Sequence, residues 1–213
     1  MSVRLTSVRL LLLVALTSVF ALPGTAVAEA PPGGRITLDV QTVNGSGCPP
    51  GTASVAVLSD NTGFRVTYRE FLAEAGGNVD PVDFRKNCQI NVLVHVPQGF
   101  TFAIASADYR GRARLEAGAT ALQRTNYYFS GSPANHYVDH SFSGPLSGTW
   151  QTTDATPVTQ LVYAPCGESR NVNLNTELRV NEGSVNANKT SAMSMRTTEG
   201  NVDTIIHFAW KEC

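Results

Sequence analysis

The sequence predicts an all-β fold, a single-domain antiparallel β-sandwich with two disulfides. Three observations carry this. Segments with strict apolar/polar alternation recur along the chain. Turn signals rich in glycine and proline separate them at short intervals, drawing on 18 Gly and 11 Pro. Four cysteines, an even count, follow an export signal.

The chain opens with Arg4 and Arg9, then an apolar run from Leu10, then Ala26-Val27-Ala28. A basic start, an apolar run and a small-x-small site make a secretory signal peptide over residues 1–28. The run from Leu10 to Leu22 is about 13 residues, short of the roughly 20 that span a bilayer. Residues 29–34, Glu-Ala-Pro-Pro-Gly-Gly, read as a flexible mature N-terminus. Residues 35–213 then form one β-sandwich domain, with no linker or internal repeat.

Arg35–Val43, Ala53–Ser59 and Gly63–Phe71 read as strands. Pro81–Asn87 suits one helical turn. Cys88 to Val96 is cleaner: Cys88, Ile90, Val92, Val94 and Val96 share one face, and Gln89, Asn91 and His95 take the other. Pro97-Gln98-Gly99 turns the chain into a hairpin partner, Phe100–Tyr109. Arg112–Arg124 has helix-favouring composition, but Gly118 interrupts it, so two strands or a loop are expected there. Thr125–Ser130, His136–Ser143 and Leu161–Ala164 are weaker strands. Asn171–Asn181 puts Val172, Leu174, Leu178 and Val180 inward, with Asn173, Asn175, Glu177 and Arg179 outward. Val202–Lys211 puts Val202, Ile206, Phe208 and Trp210 on one face.

Cys48, Cys88, Cys166 and Cys213 allow three pairings. Cys48–Cys88 and Cys166–Cys213 are favoured because each clips neighbouring segments. Each bridge contributes about 4 kcal/mol in the chain-entropy view. None of the four has C-x-x-C spacing, which argues against structural zinc.

Lys and Arg total 16 against 17 Asp and Glu, for a net charge of −1. That balance lacks the basic stripe of a nucleic-acid binder and the polybasic segment of a membrane-surface protein. No segment after the signal is apolar enough for membrane insertion.

Several motifs resemble a secreted microbial family known as domain of unknown function 4360. They are Asn44-Gly-Ser-Gly-Cys48-Pro-Pro-Gly51, Arg85-Lys86-Asn87-Cys88-Gln89, and Val96-Pro97-Gln98-Gly99-Phe100. Asp108-Tyr109-Arg110-Gly111, Tyr127-Tyr128-Phe129-Ser130-Gly131 and the terminal Trp210-Lys211-Glu212-Cys213 complete the set. The resemblance runs from about Val40 to Cys213. It implies export and names no catalytic residue, so the catalytic residues stay unknown.

His136-Tyr-Val-Asp139-His140 is the most metal-like cluster. Tyr137 stands where H-E-x-x-H needs Glu, and on a strand Asp139 points away from both histidines. Surface histidines on a hairpin are the simpler reading. Asp80 and Asp83 beside Arg85 and Lys86 read as a capped turn with ion pairs rather than a calcium loop, which wants six to eight oxygens. Glu70, Glu74, Asp108, Glu116, Asp139 and Asp154 are available to a glycosidase pair, which must face across a cleft. No G-x-S-x-G elbow or phosphate loop is present, and no cofactor is implied.

Tyr109, Tyr128 and Trp150, among the six tyrosines and two tryptophans, are the candidates for a flat sugar-stacking platform. Asn44 and Asn188 begin N-glycosylation acceptor patterns. The expectation is therefore a secreted, extracellular or cell-surface binding protein without catalytic activity. Its expected partner is an extracellular wall or matrix polysaccharide, or a protein. The alternatives are a secreted hydrolase acting on glycan or protein, and a structural protein of an extracellular layer.

Overall fold

A computed structural model of the protein describes residues 29–132, 136–183, 188–196 and 203–213, with His136 described by its backbone alone. The expected signal peptide, residues 1–28, lies outside the described residues. So does Val202.

Among the described residues, twelve strands pack as two antiparallel sheets. The first holds β1 (Thr37–Asn44), β5 (Arg85–His95), β10 (Arg170–Asn181), β7 (Thr120–Phe129) and β8 (His136–Ser143), in the order β1-β5-β10-β7-β8. The second holds β2 (Ala53–Val57), β3 (Gly63–Tyr68), β12 (Thr204–Glu212), β6 (Phe100–Leu115), β11 (Thr190–Ser194) and β4 (Leu72–Gly76). β9 (Leu146–Ala155) pairs with the remaining edge of β6.

Two long ladders fold over from one sheet to the other. Thr120 pairs with Ser143 in the first sheet, and Leu115 with Leu146 in the second. The bend falls at residues 116–119 and 144–145. There the Gly144 amide donates to the Ala119 carbonyl at 2.8 Å, and a Cβ on Gly144 would lie 1.9 Å from the Glu116 carbonyl oxygen. In the second ladder β5 pairs with β10 and β4 pairs with β11. A 3-10 turn, Pro81–Phe84, carries β4 into β5, with Asp80 capping the Val82 amide.

Alternation places the core as expected. Cys88, Ile90, Val92, Val94, Val172, Leu174, Leu178 and Val180 are buried on one sheet. Ile206, Phe208 and Trp210 meet them from the other, and Phe102 stacks among Phe129, Phe208 and Trp210. Gly111 is required where Trp150 crosses it: a Cβ there would come within 2.3 Å of the indole ring.

Both disulfides form as favoured, Cys48–Cys88 and Cys166–Cys213. Three strands escape the sequence pattern, β4, β9 and β11, and Leu161–Ala164 makes only an isolated bridge through Tyr163 to Ala103. Arg112–Arg124 resolves into two strands joined by a turn, the end of β6 and the start of β7.

Candidate functional site

The outward face of the five-stranded sheet is dominated by amides. Because Val172, Leu174, Thr176, Leu178 and Val180 turn inward, β10 presents Asn171, Asn173, Asn175, Glu177 and Arg179 outward. β5 adds Gln89 and Asn91, β7 adds Asn126 and Tyr128, and β8 adds Tyr137 and Asp139. Register sets Asn173 between Asn91 and Tyr128, and Asn175 between Gln89 and Asn126.

The amides are tied to one another. Asn91 Nδ2 donates to Asn173 Oδ1 at 2.7 Å, and Asn171 Nδ2 donates to Asn91 Oδ1 at 2.8 Å. Asn173 Nδ2 donates to Ser130 Oγ at 2.8 Å. Asn126 is covered by its neighbours, and its Oδ1 has no hydrogen-bond partner among the described residues. Tyr137 stands opposite Asn126 and is 62% exposed. It is therefore diagonal to Tyr128, with backbones about 7–8 Å apart, within reach of aromatic side chains.

One end of this face is charged. The nearly buried Glu177 accepts hydrogen bonds from Arg85 Nε, at 2.7 Å, and from Arg179. Burial pushes its carboxyl up, but the Arg85 and Arg179 hydrogen bonds outweigh that and hold it below the usual range. Arg124 grips Asp139 with two bonds of 2.6 Å, which depress the Asp139 carboxyl against a smaller cost of burial.

A depressed carboxyl stabilises the fold above its unfolded pKa and loses that contribution as pH falls through its folded value. Melting temperature should therefore hold above about pH 5 and decline below the ordinary glutamate range, about 4.3. The gap between wild type and Glu177→Gln should be widest at pH 7 and shrink on acidification. A gap that is independent of pH in a thermal-melt series would refute this origin.

A second polar cluster lies between the sheets. Asp154 on β9 has no exposed side-chain surface; His140 Nε2 lies 2.6 Å from its Oδ1, and Thr125 donates to its Oδ2. The buried Tyr109 hydroxyl bonds Thr125. Burial, and then the Asp154 charge, raise this phenol well above its ordinary value. Thr152 donates to the buried Gln123 at 2.9 Å, and Tyr127 meets Thr156 at 3.2 Å.

The expected platform is corrected here. Tyr128 does stand on an outward face. Tyr109 and Trp150 are 2% and 6% exposed and point between the sheets, because alternation along β6 and β9 turns them inward. Tyr137 takes their place beside Tyr128.

The metal-like cluster is divided by the strand. Asp139 faces solvent and pairs with Arg124, while His140 turns inward to Asp154. The side chain of His136 lies outside the description, and no group of three or more metal-ligating side chains occurs among the described residues. Asp83 pairs with Lys86, as the capped-turn reading expects. Asn44 and Asn188 are both exposed.

Four of the six available acids, Asp108, Glu116, Asp139 and Asp154, are engaged in different places. Asp108 meets His207 at 2.9 Å and Thr153 at 2.6 Å on the outer face of the second sheet. Its neighbour across β9, Asp154, points the opposite way. Glu116 accepts from Lys189 at 2.8 Å. A groove of about 620 Å³ opens where the ladders cross, with Glu74, Asp80, Phe84, Arg179 and Glu182 in its wall. Asp80 and Arg179 are already engaged there by the 3-10 turn and by Glu177.

Comparison with known proteins places the chain. It is 30% identical over 191 residues to a protein of Arthroderma benhamiae described as an uncharacterized secreted protein, covering 90% of this chain and 77% of that one. That relative is secreted, and no helix among the described residues is long and apolar enough to cross a membrane. Among solved structures, the enzymatically active domain of tailspike protein 4 of bacteriophage CBA120 aligns at 13% identity and a TM-score of 0.25. The alignment covers 84% of this chain but only 19% of that chain. The model of the family described as "Domain of unknown function (DUF4360)" matches residues 34–213, and the chain belongs to that family.

Proposed function

We propose that the protein is a non-catalytic extracellular glycan-binding protein, and that its binding surface is the outward face of β5, β10, β7 and β8. The observation that carries this is the hydrogen-bonded row Asn171–Asn91–Asn173 beside Tyr128 and Tyr137. A primary amide offers a donor and an acceptor side by side. Sugar hydroxyls also donate and accept, so an amide field matches them without charge. Tyrosine rings supply apolar faces for the C–H surface of a pyranose and a polar tip for its hydroxyls. The amides hold one another in place, so little side-chain entropy is left to lose on binding. Secretion of the relative agrees with an extracellular ligand.

Purified protein is sedimented with chitin, cellulose, β-glucan and peptidoglycan, and released sugar is assayed in the same tubes. The reading expects retention on one of these polymers without released sugar. It expects the double variant Tyr128→Ala/Tyr137→Ala to lose at least about tenfold in affinity, or 1.4 kcal/mol. Released sugar, or equal retention of the variant, would overturn the reading.

A further inference from the structure

The opposite side of the sandwich presents different chemistry. β6 sends Arg110, Arg112 and Arg114 outward from the middle of the second sheet. Arg112 stands across from Thr149 on β9 and Ser194 on β11; Arg114 stands across from Ser147 and Ala192. Arg112, Arg114, Ser147 and Ser194 line an open groove of about 470 Å³ that Arg196, Leu72 and Glu74 complete.

Arg112 and Arg114 form no ion pair and no side-chain hydrogen bond with any described residue. Five other arginines are paired: Arg65 with Asp203, Arg124 with Asp139, Arg170 with Glu168, and Arg85 and Arg179 with Glu177. Arg35, Arg69 and Arg110 form no such pair among the described residues, but none of them lines this groove. Two residues along a strand separate Arg112 from Arg114 by about 6.6–6.8 Å. Like charges on neighbouring side chains of one strand face repel, and an anion between them relieves the repulsion. Each guanidinium is a planar fork suited to two oxygens of one carboxylate or sulfate. Ser147 and Thr149, both exposed, stand at the cross-strand positions opposite Arg114 and Arg112.

We infer that this groove binds the acidic groups of an anionic polysaccharide, at a site separate from the amide face. The charge pattern selects a polymer of modest charge density. Glu74 stands in the groove wall, Asp108 and Glu116 bracket the arginine strip, and the chain as a whole carries −1. A densely phosphorylated polymer meets net repulsion outside the groove. A glycan bearing spaced carboxylates or sulfates meets the forks and the hydroxyls together.

The test measures retention of the full secreted protein on immobilised dextran carrying carboxymethyl groups at low density, on dextran sulfated at low density and on uncharged dextran. The two acidic arms separate carboxylate from sulfate as the group recognised. The expected result is retention on at least one acidic arm at about 0.05 M salt, lost by about 0.5 M as screening shortens the reach of the charges. Arg112→Gln/Arg114→Gln should reduce that retention at least about tenfold, which is 1.4 kcal/mol, with an unchanged near-ultraviolet dichroism spectrum. Arg170→Gln, which removes a paired charge from the other sheet, should leave retention unchanged. Retention on neither acidic arm would overturn the inference. So would equal loss in Arg170→Gln, or full retention by the double arginine variant.

Discussion

Replacing Asp154 with alanine will cost about 2–4 kcal/mol of folding stability, because it strands two hydrogen-bond partners at roughly 1–3 kcal/mol each. The carboxylate is fully enclosed, and both of its oxygens are used, one by His140 and the other by Thr125. Alanine leaves the His140 ring nitrogen and the Thr125 hydroxyl without the acceptor that both now use. Tyr109, whose hydroxyl bonds Thr125, then loses the group that fixes its partner. Asp154→Asn keeps the volume and separates the loss of charge from the loss of packing. Urea unfolding at pH 7 measures both variants. A cost below about 1 kcal/mol for alanine is what an exposed pair would give, and it would contradict this account of the interior.

The second large effect is expected at Cys48–Cys88. The two cysteines are 40 residues apart in sequence and fully buried, and they tie the segment between β1 and β2 to the middle of β5. Joint replacement by alanine frees that loop in the unfolded chain at a cost of about 4 kcal/mol. The same segment carries Gly47, whose amide donates to Asn87 at 2.8 Å, and Ser46, whose hydroxyl donates to Asn87 Oδ1 at 3.1 Å. Asn87 lies two residues from Gln89 on the strand that builds the amide face, so loosening the segment should also weaken glycan retention. The urea midpoint of the double variant measures the stability loss, and an unchanged midpoint would refute it.

Elements whose inward residues are large and apolar were legible from the sequence. β5 and β10 alternate Ile, Val and Leu with amides and charges, and they form as read. β9 hides the same alternation because its inward residues are Leu146, Gly148, Trp150, Thr152 and Asp154, two of them polar and one a glycine. They point into the layer that holds His140, Thr125 and Gln123, which no local pattern reveals. β4 buries only alanines, Ala73 and Ala75, which are too small to stand out. Leu161–Ala164 misleads in the other direction: its apolar residues meet β6 through one bridge at Tyr163.

The candidate face divides along the same line. That Asn173 and Asn175 point outward follows from the alternation of β10 alone. That they lie beside Asn91, Tyr128 and Tyr137 depends on pairing between strands as much as 82 residues apart, as the Asn91–Asn173 bond shows. An aromatic residue does not announce its face, and so Tyr109 and Trp150 read as surface candidates although both are interior. The arginine groove has the same origin. Arg112 and Arg114 are neighbours in sequence, but their hydroxyl flanks come from β9 and β11.

The outward face of β5, β10, β7 and β8 is proposed to meet a neutral glycan. The most direct measurement is a nuclear magnetic resonance titration with soluble oligosaccharides of the retained polymer. The side-chain amide signals of Asn91, Asn171 and Asn173 and the ring signals of Tyr128 and Tyr137 should move together and saturate. Signals of Arg112 and Arg114 should stay fixed. Saturable shifts confined to any other surface, with these amides unmoved, would contradict the account.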